Sequence, residues 1–147
     1  MALVSKFAPK TERDDEGYAT DIDFRGSKIS DEDLHDTLGL SRANSFLLAE
    51  TAITDKGLET IGKLKTLQVL DLRDCAISDA GLKHLEKLSN LRVLRLSGKN
   101  DKTKVEDAGM ASVAKLTKLK TLALDFLWIR EKGLADLAAL KDLEELY

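Results

Sequence analysis

The feature that most constrains this chain is that it repeats itself. Residues 67–90, LQVLDLRDCAISDAGLKHLEKLSN, are closely matched by the residues around them. Leu70, Leu72, Ile77, Asp79, Gly81, Leu82, Leu85 and Leu88 have counterparts 24 positions earlier in Phe46, Leu48, Ile53, Asp55, Gly57, Leu58, Ile61 and Leu64. A frame that starts at Ala19 restarts at Ala43, Leu67, Leu91 and Leu119, with a partial unit at Leu143. The Leu91 unit has 28 residues, because four extra ones enter within SGKNDKTK. A unit this short cannot bury its apolar face until a neighbour stacks on it, so the frame predicts a solenoid across residues 19–147.

Each unit carries two periodicities. In LQVLDL, Leu70 and Leu72 alternate with Val69, Asp71 and Arg73, the pattern of a short strand with one buried face. After Ile77 the spacing changes to Leu82, Leu85 and Leu88, which suits one side of a helix. Five or six strands are therefore expected to form a parallel sheet, with a short returning helix in each unit.

The helix starts are legible. Ser30, Thr54 and Ser78 precede Asp31, Asp55 and Asp79, where a hydroxyl caps free backbone donors and a carboxylate favours the positive end of the helix dipole. Glu106 and Arg130 replace the hydroxyl residue before Asp107 and Glu131, so those two starts are expected to be weaker. Gly57, Gly81, Gly109 and Gly133 follow two residues after each acid. Glycine within a helical turn costs roughly 0.5–1 kcal/mol relative to alanine, so its recurrence points to close approach between neighbouring units. Asp33 holds that position in the first unit, which is expected to be looser there.

Residues 1–18 fit no repeat. They form either a flexible leader or a cap in which Leu3, Val4 and Phe7 cover the open end of the first unit, while the following KTERDDEG is too charged to enter a core.

With LxxLxL followed by [ST]xIxDxGLxxLxxLxx, the unit resembles the leucine-rich repeat, both the short bacterial-like kind and, in LDLRDCAISDAGL, the cysteine-containing kind. The resemblance implies an α/β, right-handed leucine-rich-repeat solenoid with a concave parallel β-sheet and short convex helices. It also implies an inward-turned residue after each strand that hydrogen-bonds the loop backbone, here Ser27, Thr51, Cys75 and Leu127. Leucine cannot make that bond, so the ladder is expected to stop towards the C-terminus.

Chemistry-bearing motifs are sparse. His35 and His84 sit in different units without metal-ligand spacing, and there is no GxxxxGK[ST], GxGxxG or GxSxG. The expectation is no catalytic residue, no metal, no cofactor and no small-molecule substrate. With 23 basic and 26 acidic residues the net charge is −3, which disfavours nucleic acid and anionic membrane. The lysine-rich edge at Lys63, Lys65, Lys87, Lys115, Lys118 and Lys120 reads as solvated surface. Cys75 is the single cysteine, so no internal disulfide can form, which favours a cytoplasmic or other reducing compartment.

Residues between the strand leucines project from the strand face in columns. The central ones, Leu47, Val69 and Val93 beside Asp71, Arg73 and Arg95, combine apolar anchors with arginine and aspartate, as protein interfaces do. Asp125 and Tyr147 extend the columns. The expected function is a protein-interaction module that binds a protein partner through this face. The alternative is a structural subunit docking through its solenoid ends, with self-association through the C-terminal edge around Leu146 and Tyr147.

Overall fold

A computed structural model describes residues 6–147. Leu3 and Val4, two of the three residues expected in a cap, lie outside the described residues.

Among the described residues seven strands form one open sheet in chain order: β1 (Lys10–Arg13), β2 (Ala19–Asp23), β3 (Ser45–Leu47), β4 (Val69–Asp71), β5 (Val93–Ser97), β6 (Thr121–Asp125) and β7 (Glu145–Leu146). From β2 to β7 every pair is parallel, and each strand meets its equivalent one unit on, as in Asp21↔Ser45, Ser45↔Val69, Val69↔Val93 and Val93↔Thr121. The register follows from the repeat, because any slip would turn the buried leucines towards solvent. The returning segments are short: α-helices at Asp55–Ile61, Asp79–Leu82, Asp107–Val113 and Glu131–Asp136, with 3-10 turns at Lys83–Leu85 and Leu137–Ala139. The architecture is the α/β leucine-rich-repeat solenoid, with strands on the concave side and helices on the convex side.

Between sheet and helices lies one continuous core. Leu70, Leu72, Ile77, Leu82, Leu85 and Leu88 of the central unit are all buried, as are their counterparts in the Ala43 unit. Removing one such leucine side chain typically costs about 2–5 kcal/mol.

The acids at the helix starts do more than face the helix dipole. Asp31, Asp55, Asp79 and Asp107 reach forward into the next unit. Asp31 accepts the backbone amide of Thr54 at 2.8 Å and its hydroxyl at 2.5 Å, and Asp55 makes the same pair of bonds to Ser78. Asp79 accepts the amide of Glu106 at 2.8 Å and Asp107 that of Arg130 at 2.6 Å. The hydroxyls of Thr54 and Ser78 also accept from Lys56 and Ala80, which are cap bonds, whereas Glu106 and Arg130 provide none. The two starts without a hydroxyl are thus still held, through their backbone, by the preceding unit.

This ladder explains the glycines. A methyl group on Gly109 would stand 2.5 Å from Asp79 Oδ1 and one on Gly133 2.8 Å from Asp107 Oδ1, while Gly57 and Gly81 leave room in the same way for Asp31 and Asp55. The close approach expected from the sequence is therefore to a carboxylate of the preceding unit.

The first unit differs for the complementary reason. Its returning segment is a 3-10 helix, Asp33–Gly39, and Ser30 bonds to Asp33 instead of capping. Asp33 Oδ2 accepts both the amide of Ser30 at 2.9 Å and its hydroxyl at 2.8 Å. The residue in the glycine position thus supplies from within the unit the carboxylate that later units receive from behind. Leu34 beside it is fully buried.

Residues 10–13 pair antiparallel with β2, Lys10 opposite Asp23 and Glu12 opposite Asp21. The charged run that follows makes the turn: Asp14 accepts from the amides of Glu16 and Tyr18, and Arg42 bonds Asp14 and Glu16 while lying 4.1 Å from the Tyr18 ring centre. Phe7 packs edge-on against Phe24, which packs the same way on Phe46.

Candidate functional site: the concave strand face

The parallel register puts the non-core strand residues into columns. Val69 and Val93 stand side by side, and Asp23, Leu47, Asp71, Arg95 and Ala123 form the neighbouring row. Ser97 pairs with Asp125 at the far end of the strands. Leu47, Val69, Arg73, Val93 and Arg95 are all half-buried, so each leaves part of its side chain accessible on this face. Asp125 is exposed, as is Tyr147, at 65 %. Tyr147 lies beyond the paired part of β7, yet its amide donates to Leu122 and its carbonyl accepts from Leu124, which continues the parallel ladder.

One residue departs from the expected arrangement. Asp71 does not project for contact; its side chain is 1 % exposed beneath Arg73. Arg73 Nε and a terminal nitrogen bond its two carboxylate oxygens at 2.9 and 2.7 Å. A carboxylate this deep requires such a bidentate partner, because burying it unpaired would cost several kcal/mol. Asp23 and Arg25 repeat the same fork two strands away, in a more exposed setting. Arg25 holds the carboxyl of Asp23 below the usual carboxylate range, and Asp71 raises the guanidinium of Arg73 above its ordinary value. Arg95, the next residue in the row, makes no ion pair among the described residues. The centre of the face is thus an apolar strip, Leu47–Val69–Val93, with two self-neutralised forks and one unengaged guanidinium.

The inward ladder after the strands contains a member that the fixed 24-residue frame passed over. Thr51 donates to Leu48 O at 2.6 Å, Cys75 Sγ donates to the same carbonyl at 3.1 Å, and Thr103 donates to Cys75 O at 2.8 Å. Thr103 escaped notice because the longer unit displaces it. Burial pushes the Cys75 thiol up, so it remains protonated and acts as a donor.

Two further surface residues stand out in the loop after β6, Phe126 and Trp128, 71 % and 79 % exposed. The lysine edge is largely engaged locally, with Lys115 paired to Glu86, Lys120 to Glu144, Lys118 bonded to Asn90 and Lys65 to the Gly62 carbonyl. His35 and His84 are exposed. Among the described residues no three His, Cys, Asp or Glu side chains gather in a way that could hold a metal ion, and no helix is long and apolar enough to cross a membrane.

Comparison with known proteins agrees with this architecture. A family profile described as Leucine Rich repeat matches residues 63–85. An internalin from Listeria monocytogenes superposes with a TM-score of 0.68 at 26% identity, covering 82% of this chain and 32% of the internalin. A PEPR1–AtPEP1 structure matches at 21% identity and a TM-score of 0.56, over 92% of this chain and 19% of that one. The ectodomain of the receptor kinase SOBIR1 from Arabidopsis thaliana matches at 16% identity and 0.53, over 94% and 76%. The chain therefore spans about a third or less of the first two proteins. No curated protein matches it in sequence. The fold is one that commonly serves protein–protein interaction and is typically non-enzymatic. With the frame that runs from Ala19 to Tyr147, these matches support the leucine-rich-repeat fold for this chain.

Proposed function

We propose that this protein is an interaction module that binds a protein partner through its concave strand face. The observation that carries this reading is the pair of neighbouring rows that bring half-buried Val69 and Val93 beside Leu47 and Arg95, a guanidinium without an ion pair among the described residues. Apolar anchors beside an unengaged arginine match the composition of interface centres, where a few such residues dominate affinity. Arg73 is committed to covering and neutralising Asp71. The partner contact on this face therefore falls mainly to Leu47, Val69, Val93 and Arg95, with Asp125 and Tyr147 at its margins. The test is partner capture by the tagged protein: Arg95→Glu abolishes it, while Arg92→Glu, an exposed arginine three positions away, leaves it intact.

A second reading has its own observation. Leu134, Leu146 and Tyr147 are exposed at the last unit, a combination suited to docking within a larger assembly or to self-association. Under that reading capture or self-association is lost on replacing Leu146 and Tyr147 and is indifferent to Arg95.

A further inference from the structure

The loop after β6 presents Phe126 and Trp128 to solvent beside the four-residue insertion. Their exposure does not come from lying in the last full unit. The residues equivalent to Trp128 are Lys28, Ala52, Ala76 and Lys104, and all four are exposed, including those with a unit on either side; Ala52, Ala76, Lys104 and Trp128 are each bridged to the preceding unit, at Ser30, Thr54, Ser78 and Glu106. This row faces outward throughout the solenoid, and only here does it carry an indole. Phe126 has a second peculiarity: its φ is +58°, a left-handed conformation that bulky side chains rarely adopt. Glu50 and Asp74 hold the same conformation at the equivalent place, so the loop requires it. A phenylalanine there is strained and gains no burial in return.

The insertion is built against this loop. The Gly98 amide donates to Asp125 O at 2.9 Å, and a side chain at Gly98 would collide with the Phe126 carbonyl and the Leu127 side chain. Asn100 donates to Asp74 O at 3.0 Å and accepts the Lys102 amide at 3.1 Å, while Lys104 N donates to Ile77 O at 2.7 Å. Its backbone is tied down while Lys99, Lys102 and Lys104 stay exposed and free of ion pairs among the described residues. Between the insertion and the aromatic loop lies a cleft of about 430 Å³ bordered by Lys99, Asp101, Phe126 and Trp128. Within the insertion three lysines face one acid, Asp101, so this is a locally basic place on an acidic protein.

We propose that this rim is a second binding surface, separate from the strand face, and that it takes an acidic protein segment carrying an apolar side chain. The apolar group enters the cleft against Trp128 and Phe126, and flanking carboxylates pair with Lys99, Lys102 and Lys104. Aromatic anchors supply contact area with little conformational entropy to lose, and the tethered backbone of the insertion lowers the cost of ordering on binding.

Because Trp128 is the only tryptophan, its emission reports directly on the cleft. The probe is the capped hexapeptide Glu-Glu-Phe-Leu-Glu-Glu, titrated into the full chain and followed by that emission and, with a fluorescein label, by anisotropy. The expected result is a saturable blue shift and anisotropy rise below about 2 mM peptide, with affinity by anisotropy weakened at least about tenfold in Trp128→Ala and in the Lys99→Ala/Lys102→Ala/Lys104→Ala variant, and unchanged in Arg95→Glu. Controls with alanines in place of Phe-Leu, or with lysines in place of the glutamates, should not bind. Absence of saturation overturns the proposal, as does undiminished binding to Trp128→Ala or equal binding of the control peptides. A blue shift produced instead by phosphatidylserine vesicles, or by the protein's own dimerisation in sedimentation, assigns the rim to a different occupant and equally overturns it. Circular dichroism of each variant confirms that these exposed replacements leave the fold intact.

Discussion

Asp55 and Ser78, 23 residues apart in sequence, are joined by two hydrogen bonds across a unit boundary, and the carboxylate that makes them occupies the space left by the missing side chain of Gly81. Acid, acceptor site and glycine are thus a single device. The acid belongs to one unit, its targets and its clearance to the next. Repetition of the device at Asp31, Asp79 and Asp107 joins the units on the helix side as the parallel ladder joins them on the strand side.

The first prediction concerns that coupling. Gly81→Ala forces Asp55 to move and should cost about 1–3 kcal/mol, the penalty of leaving buried donors unmet. In an Asp55→Ala background the same glycine replacement should cost markedly less, because the clash and the bonds are already gone. A double-mutant cycle in urea measures the difference. Additive effects would mean that the glycine serves another purpose. Gly39→Ala, where an added methyl meets nothing within 4 Å, is the neutral control.

Asp33 gives the opposite expectation for what looks like a repair. Replacing it with glycine restores the pattern of the later units, yet removes the acceptor of the Ser30 amide and hydroxyl, and with it the ion pair to Lys6. Asp33→Gly should therefore lower stability by about 1–3 kcal/mol and speed amide exchange at Ser30. Stabilisation would contradict the role assigned to Asp33.

Arg73 and Arg95 should separate in their effects. Arg73→Ala strands the buried carboxylate of Asp71 and should cost about 3–5 kcal/mol in an unfolding measurement. Arg95→Ala should change stability little while weakening partner capture. If Arg73→Ala unfolds no more readily than the native chain, the fork is not what keeps Asp71 buried.

Cys75 carries a pH prediction. Burial raises its thiol above the ordinary value, so the folded state binds that proton more tightly than the unfolded chain. The resulting contribution is fully present below the unfolded thiol pKa and is lost as pH rises through the folded one. Thermal unfolding followed into the alkaline range should show a loss of stability that Cys75→Thr lacks, since threonine can donate to Leu48 O without ionising there. Identical alkaline profiles would remove the thiol from the account.

Strands β2 to β7, their register and the core leucines were legible because strand periodicity and unit length both repeat. What escaped reading has physical causes. The Asp ladder was hidden because a local reading assigns Asp55 to its own helix, whereas its partner lies in the next unit. Thr103 was displaced from the frame by the insertion. Strand β1 has no buried face, so KTER shows no alternation of apolar residues and is recognisable only from its pairing with β2. Asp71 shares the strand period of Val69 and Arg73, and sequence alone does not show that Arg73 folds over it.

The strand face is tested most directly by a photo-crosslinking amino acid placed at Val93 and, in a second sample, at Arg92, the adjoining residue whose side chain points away from that face. Exposed to extract from the source organism and irradiated, the Val93 protein should form a discrete adduct with one protein, suppressed by Arg95→Glu, and the Arg92 protein should form none. Adducts from Arg92 alone, from both positions equally, or from a probe at Leu146 and not at Val93 would contradict the assignment of partner binding to the concave face.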